Sequence, residues 1–249
     1  MTTLALYSNK GGVGKTAAAV NLSYLAAQGG LRTLLVDLDP QSAATFYFRV
    51  KPKLKRAARD FEGGKSLEAS IKATDYENLD LLPADFQLRN LDMAFAERKR
   101  SHKRLDLALR RFRKEFDLIV LDCPPTINIL AENIFATADH LVVPIIPTTL
   151  SVRTYEQLLA HLGEKWLAGG RVLGYFSMVD ARRALHRQVM ADLREQHSGI
   201  LDTSIPYLSA VEQMGLYREP VPAHAPDSPA ARAYRALWEE IRGDVSGLG

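Results

Sequence analysis

The sequence predicts an α/β fold: one doubly wound, mainly parallel sheet flanked by helices, spanning residues 1–249 as a single unit. Two observations predict it. Short apolar runs alternate with helical patterns, as in a parallel sheet joined by right-handed crossovers. Several runs are apolar at every position, as Leu118-Ile119-Val120-Leu121 is, which marks a strand covered on both faces. No internal repeat, low-complexity tract or Gly/Ser linker interrupts this pattern.

The elements follow in order. A first strand is expected over Thr3–Tyr7, then a helix over Thr16–Gln28 that Gly29-Gly30 stops. Strands are expected at Thr33–Val36 and Leu79–Leu82, with residues 50–75 irregular and outside the sheet. A helix over Arg104–Phe112 precedes the strand Leu118–Leu121. Strands Leu141–Ile146, Val172–Met178 and Ile200–Ile205 alternate with helices Arg153–Trp166, Ala184–Gln196 and Pro229–Ile241. Asp227-Ser228-Pro229 supplies the start signal of the last helix, whose Tyr234, Leu237, Trp238 and Ile241 read as core packing.

Composition narrows the class. The single cysteine, Cys123, excludes an internal disulfide framework and a four-cysteine metal cage. No apolar run approaches the ~18 residues that span a bilayer. The N-terminus lacks a basic start, and Asn9, Lys10 and Lys15 interrupt its apolar stretch, so no secretory leader is read and a cytoplasmic location is expected. The net charge is only +3, but the bases cluster. Lys51, Lys53, Lys55, Arg56 and Arg59 form one group; Arg98, Lys99, Arg100, Lys103 and Arg104 a second, continued by Arg110, Arg111, Arg113 and Lys114; Arg182, Arg183 and Arg187 a third. Each group reads either as a polyanion footprint or as a solvated helix face.

The strongest chemical signal is Ser8-Asn9-Lys10-Gly11-Gly12-Val13-Gly14-Lys15-Thr16 between the first strand and the first helix. Glycines let backbone N–H groups approach phosphate oxygens, and the helix N-terminus adds positive partial charge. Lys15 can reach the β- and γ-phosphates, and the Thr16 hydroxyl can ligate Mg²⁺. The strict G-x-x-x-x-G-K-[ST] pattern fails, because Asn9 holds its first glycine position. Asp37-Leu38-Asp39-Pro40-Gln41 places two carboxylates after the second strand, at the sheet end that the loop occupies. Both could approach phosphates or Mg²⁺, or each could cap the turn before Pro40. Asp122-Cys123-Pro124-Pro125 ends an apolar strand in an acid, the form that holds Mg²⁺ directly or through water. Cys123 reads as a buried neighbour of that acid.

These motifs, Lys-Gly-Gly-Val-Gly-Lys-Thr, Asp-Leu-Asp-Pro-Gln and Asp-Cys-Pro-Pro, resemble those of the ParA/MinD family of deviant Walker A P-loop ATPases, and the resemblance extends from about residue 3 to 242. It implies an ATP- and Mg²⁺-dependent ATPase that forms a homodimer with ATP. Lys10 would reach across to the partner's nucleotide. Gly11, Gly12, Val13, Gly14, Lys15, Thr16 and Ala17 would cradle the phosphates. Asp39 would orient the attacking water, Asp37 would stand in the metal's outer shell, and Thr16 and Asp122 would serve the metal. Met178, Asp180 and Pro206 would enclose the adenine, and Glu212 and Gly215 match a looser family stretch.

The resemblance is closest to small ParA-like partition proteins without an N-terminal helix-turn-helix. It implies non-specific DNA binding, through Arg182, Arg183 and Arg187, a nucleoid-associated location, and a ParB-like or cargo adaptor that stimulates hydrolysis. The cargo could be a plasmid, a chromosome region or a protein assembly. The alternative is a MinD-like membrane-associated ATPase, against which Glu239, Glu240 and Asp244 in the last segment argue, since anionic lipid would repel them. An iron–sulfur carrier on the same fold, such as the nitrogenase iron protein, needs at least a pair of cysteines, and Cys123 stands alone.

Overall fold

A computed structural model describes residues 1–51, 61, 66–84, 86–97, 101–167 and 171–245. Its strands are β1 (Thr2–Leu6), β2 (Thr33–Asp37), β3 (Lys72–Ala73), β4 (Leu79–Leu82), β5 (Leu118–Asp122), β6 (His140–Ile145), β7 (Val172–Val179) and β8 (Ile200–Pro206). They form one 8-stranded sheet in the order β3-β4-β2-β5-β1-β6-β7-β8. Every pairing is parallel except β3 with β4.

Side chains alternate between the two faces of this sheet. On one face Leu4, Leu6, Leu35, Val120 and Tyr175 pack against α1 (Lys15–Gln28) and the last helix, α6 (Pro229–Asp244). On the other face Ala5, Tyr7, Val36, Leu121 and Phe176 pack against α3 (Ile129–Thr137), α4 (Thr149–Leu162) and α5 (Ala184–Gln196). Burial on both faces is why these strands are apolar throughout. Tyr234, Leu237, Trp238 and Ile241 of α6 are all buried in the first layer, as a core helix requires.

Several expectations need correction. Residues 50–75 are not wholly outside the sheet, because Lys72 and Ala73 pair with Leu81 and Asp80 as an antiparallel edge strand. The helix over Arg104–Phe112 is α-helical only through Leu109 and tightens into a 3₁₀ turn over Arg110–Lys114. The helix over Arg153–Trp166 begins earlier, at Thr149, and breaks at Gly163, where φ is 72°. Helix α3 has no counterpart among the expected elements. Its N-cap is Asn128, whose side chain accepts from the N–H groups of Leu130 and Ala131. Of the basic clusters, Lys53, Lys55, Arg56, Arg59, Arg98, Lys99 and Arg100 lie outside the described residues. Asp106 pairs with Arg110 at 2.8 Å and Arg113 at 3.4 Å, so part of that group is a solvated helix face.

Candidate functional site

The C-terminal ends of β1, β2 and β5 meet where the strand order turns back on itself, the place where open parallel sheets bind ligands. The glycine-rich loop leaves β1 there. Gly12 and Gly14 have φ of +70° and +95°. A Cβ on Gly14 would stand 2.9 Å from the Ser177 Oγ, so both conformation and space demand glycine. A Cβ on Gly11 or Gly12 would meet nothing within 4 Å, which leaves the loop's outer side open to a ligand. Val13 points inward and is buried, Thr16 is half-buried, and Ala17 packs partly against the α1 layer.

The two loop lysines differ. Lys15 is buried, and its Nζ donates to the Lys10 carbonyl at 2.9 Å across the loop. Burial lowers its pKa, and the acidic groups beside it, Asp122 foremost, oppose that shift. Lys10 instead turns its Nζ to the Ser151 Oγ, 3.0 Å away in the first turn of α4. Ser151 also accepts from the Thr148 hydroxyl at 3.0 Å. The second lysine is therefore held within its own chain, by residues that no sequence motif marks.

Asp37 and Asp122 are register partners on β2 and β5, and both are fully buried. Asp37 Oδ2 accepts from the Thr45 N–H at 2.9 Å and its hydroxyl at 2.7 Å; Oδ1 accepts from the Asp39 N–H at 3.1 Å. Burial still raises its pKa to about 6. Neither Asp122 oxygen has a partner at full hydrogen-bond geometry, although the Thr16 hydroxyl lies near enough to favour the charged carboxylate. Burial, and then the charge of Asp37, push its pKa well up, offset in part by the Thr16 hydroxyl and by Lys15. Asp39 lies beyond the end of β2, half-exposed, with Oδ1 accepting from the Gln41 N–H at 2.9 Å. The turn reading thus holds for one oxygen of Asp39, and the other faces no donor among the described residues. Cys123 is buried beside Asp122, and burial raises its thiol pKa well above the usual range, which keeps it protonated.

The fit to a metal ion is specific in kind. Among the described residues no cluster of three His, Cys, Asp or Glu side chains could hold one. What exists is one buried, unpartnered carboxylate and one hydroxyl, Asp122 and Thr16. That set suits Mg²⁺, which keeps waters and takes further oxygens from a substrate's phosphates.

A cleft of about 610 Å³ opens at the C-terminal ends of β7 and β8, lined by Met178, Asp180 and Pro206 together with Thr148, Arg182 and Tyr207. It brings together the three residues expected around a base. Met178 sits at φ +55° in a bulge of the β7–β8 ladder. Both Asp180 oxygens are engaged: they accept from Arg182 Nε at 2.9 Å and a terminal nitrogen at 3.0 Å. Arg182 in turn holds Asp180 to a pKa of about 2. Of the other expected DNA contacts, Arg187 donates to the Ala181 and Arg182 carbonyls at 2.8 and 3.2 Å. Arg183 is exposed and makes no ion pair among the described residues. Glu212 accepts from the Tyr207 hydroxyl, and Gly215 falls within the short helix Met214–Tyr217.

Comparison with known proteins follows the same lines. The AAA domain family model matches residues 1–165. The chain is 37% identical over 254 residues to the chromosome-partitioning ATPase Soj of Thermus thermophilus, with 97% of this chain and 96% of that protein covered. It is 31% identical over 248 residues to the sporulation initiation inhibitor protein Soj of Bacillus subtilis, with 96% and 97% covered. It also matches, at a TM-score of 0.81 and 27% identity, a Mycobacterium smegmatis crystal structure described as cobyrinic acid a,c-diamide synthase with bound ADP and magnesium, covering 99% of this chain and 97% of that one.

Proposed function

The chain belongs to the ParA/MinD family of P-loop ATPases, and on that premise we propose that it is an ATP-driven switch that positions a cargo on DNA. ATP assembles a homodimer, the dimer binds bulk DNA without sequence preference, and a ParB-like or cargo adaptor stimulates hydrolysis and release. On this reading the protein works in the cytoplasm on the nucleoid, with residues 1–249 acting as one unit.

The observation that carries the reading is the buried Asp122 carboxylate, which has no partner at full hydrogen-bond geometry and lies by the phosphate loop beside Thr16 and Lys15. A folded chain rarely leaves a fully buried carboxylate unsatisfied unless a ligand completes it. Mg²⁺ held by Thr16 and Asp122 would neutralise charge on the phosphoryl oxygens. The loop N–H groups and Lys15 bind the triphosphate. Lys10 leaves Ser151 and neutralises the partner subunit's nucleotide, where two triphosphates concentrate negative charge. The oxygen of Asp39 not used in the turn orients the attacking water. Asp37 does not contact the phosphates; it fixes the segment that carries Asp39.

Arg183 is the base of its group best placed to meet DNA phosphate, since Arg182 and Arg187 are tied to Asp180 and to backbone carbonyls. The membrane alternative finds no support in α6, whose large apolar residues pack on the sheet. No described helix is long and apolar enough to cross a membrane.

Sedimentation of the Asp39→Ala protein with ATP tests the switch. A stable dimer with ATP, a monomer with ADP, and hydrolysis reduced at least tenfold are expected. A variant that hydrolyses ATP as the wild type does would remove Asp39 from its role.

A further inference from the structure

Among the described residues, three of the five non-glycine positions with positive φ fall in one assembly: Ser42 (56°), Arg49 (57°) and Arg218 (55°). Ser42 precedes α2 (Ala43–Tyr47) and Arg49 follows it. Arg218 ends the short helix Met214–Tyr217 in the left-handed conformation that glycine normally takes there. The two arginines reach across to each other's helices. Arg218 Nε donates to the Phe46 carbonyl of α2 at 2.9 Å, and its guanidinium lies over the Phe46 ring, 4.4 Å from the centroid. In return, an Arg49 terminal nitrogen donates to the Tyr217 carbonyl at 2.9 Å and to Glu219 Oε1 at 2.6 Å. Carbonyls in the last turn of a helix lack a full set of partners within it, and each arginine supplies one to the other's helix.

Stability does not account for this clasp. It holds two arginines in a strained backbone region, and an ion pair as exposed as Arg49–Glu219, with side chains 45% and 30% exposed, contributes little. What the clasp holds lies beside the site. Helix α2 follows the Asp39 turn, in which the Ser42 N–H donates to the Asp39 carbonyl at 2.8 Å. Thr45 of α2 donates twice to Asp37, and the Tyr47 phenol is pushed up in pKa by burial and then by the charge of Asp122. The other half of the clasp is anchored on α1, the helix that leaves the phosphate loop. The buried Asn21 amide donates to Met214 Sδ at 3.3 Å, and Asn21 Oδ1 accepts from the Val221 N–H at 2.7 Å. The clasp thus joins the helix behind the phosphate loop to the helix behind Asp39.

We propose that Arg49 and Arg218 are positioning residues for hydrolysis: their reciprocal clasp fixes α2, and with it the Asp39 turn, relative to the phosphate loop. The proposal rests on the reading of Asp39 as the residue that orients the attacking water, and goes beyond it. Neither arginine is a catalytic residue; each acts through the end of a helix.

Steady-state ATP hydrolysis and calorimetric titration with Mg-ADP, both on the full chain, test it. Arg218→Gly removes the side chain and accepts the left-handed backbone, so the fold keeps its shape. Its kcat should fall about three- to thirtyfold, short of the ~hundredfold that a 1 Å misplacement can cost. Its KM and Mg-ADP affinity should be unchanged. Arg49→Ala should behave the same way. Because losing either half opens the clasp, the double variant should lose no more kcat than either single one. Unchanged kcat in both single variants would overturn the proposal. So would Mg-ADP affinity that falls in step with kcat, or losses that multiply in the double variant. Asp39→Ala is assayed beside them: hydrolysis at the wild-type rate would instead overturn the reading of Asp39 beneath the proposal.

Discussion

Asp37 and Asp122 face each other across the β2–β5 ladder, both fully buried, and only Asp37 is satisfied by hydrogen bonds. The pair concentrates negative charge at the sheet end where a cation and phosphates would sit, and the ligand-free chain bears the cost.

That cost sets a pH dependence. Burial raises the Asp37 pKa to about 6 and the Asp122 pKa well above the ordinary carboxylate value. A carboxyl whose folded pKa is raised contributes stability below its unfolded pKa of about 4 and loses it as pH rises through the folded value. The ligand-free protein should therefore lose stability from about pH 4 to 6 and further above, measured as Tm by calorimetry. Asp122→Asn should flatten the upper part of that profile and raise Tm at neutral pH by about 2–4 °C for each ~1 kcal/mol recovered. It should also abolish Mg²⁺-dependent nucleotide binding.

Thr45 holds Asp37 through its N–H and hydroxyl, and its Oγ1 accepts from the Ala84 N–H at 2.9 Å. Thr45→Val keeps the shape, strands the Ala84 N–H and leaves Asp37 Oδ2 with the backbone N–H of residue 45 alone. It should destabilise by about 1–3 kcal/mol, seen as a lower urea midpoint. Since α2 (Ala43–Tyr47) follows the Asp39 turn, hydrolysis should fall more than ATP affinity does.

Glycines of the loop should separate folding from binding. Gly14→Ala forces a side chain into φ +95° and against Ser177, and should cost about 1–3 kcal/mol of stability as well as nucleotide binding. Gly11→Ala meets open space and should leave Tm unchanged, while a methyl on the ligand side weakens ATP. A thermal melt beside an ATP titration reads both.

On the proposed reading, Lys10 gives up Ser151 to serve a partner's nucleotide. Ser151→Ala removes the intrachain acceptor and should lower the concentration for ATP-dependent dimerisation about two- to tenfold, one side-chain hydrogen bond's worth. Lys10→Ala should spare monomer nucleotide binding and weaken the dimer. Analytical ultracentrifugation distinguishes the two.

The parts legible in the sequence are those with a local cause. Leu118–Leu121 is apolar throughout because both faces are covered, and the acid that ends it marks the sheet end. The loop is legible because φ values such as that of Gly14 exclude other residues. Helix α3 is hard to read because its run, Ile-Leu-Ala-Glu-Asn-Ile-Phe-Ala-Thr, has almost no polar face, although Asn128 is a usable start signal. Lys72–Ala73 is too short for any periodicity. Partners remote in sequence leave no signal at all: Ser151 lies 141 residues from Lys10. The Asp180–Arg182 contact spans two residues, yet in sequence Arg182 looks like one base in a cluster. Only geometry shows that its charge is already engaged.

Binding of the Asp39→Ala protein to a non-specific DNA duplex, with ATP, ADP or no nucleotide, tests the central claim most directly. An ATP-driven switch on DNA predicts binding with ATP alone, weakening steeply with salt as phosphate contacts release counterions. Equal binding in all three states, or none in any while ATP still forms dimers, would contradict it.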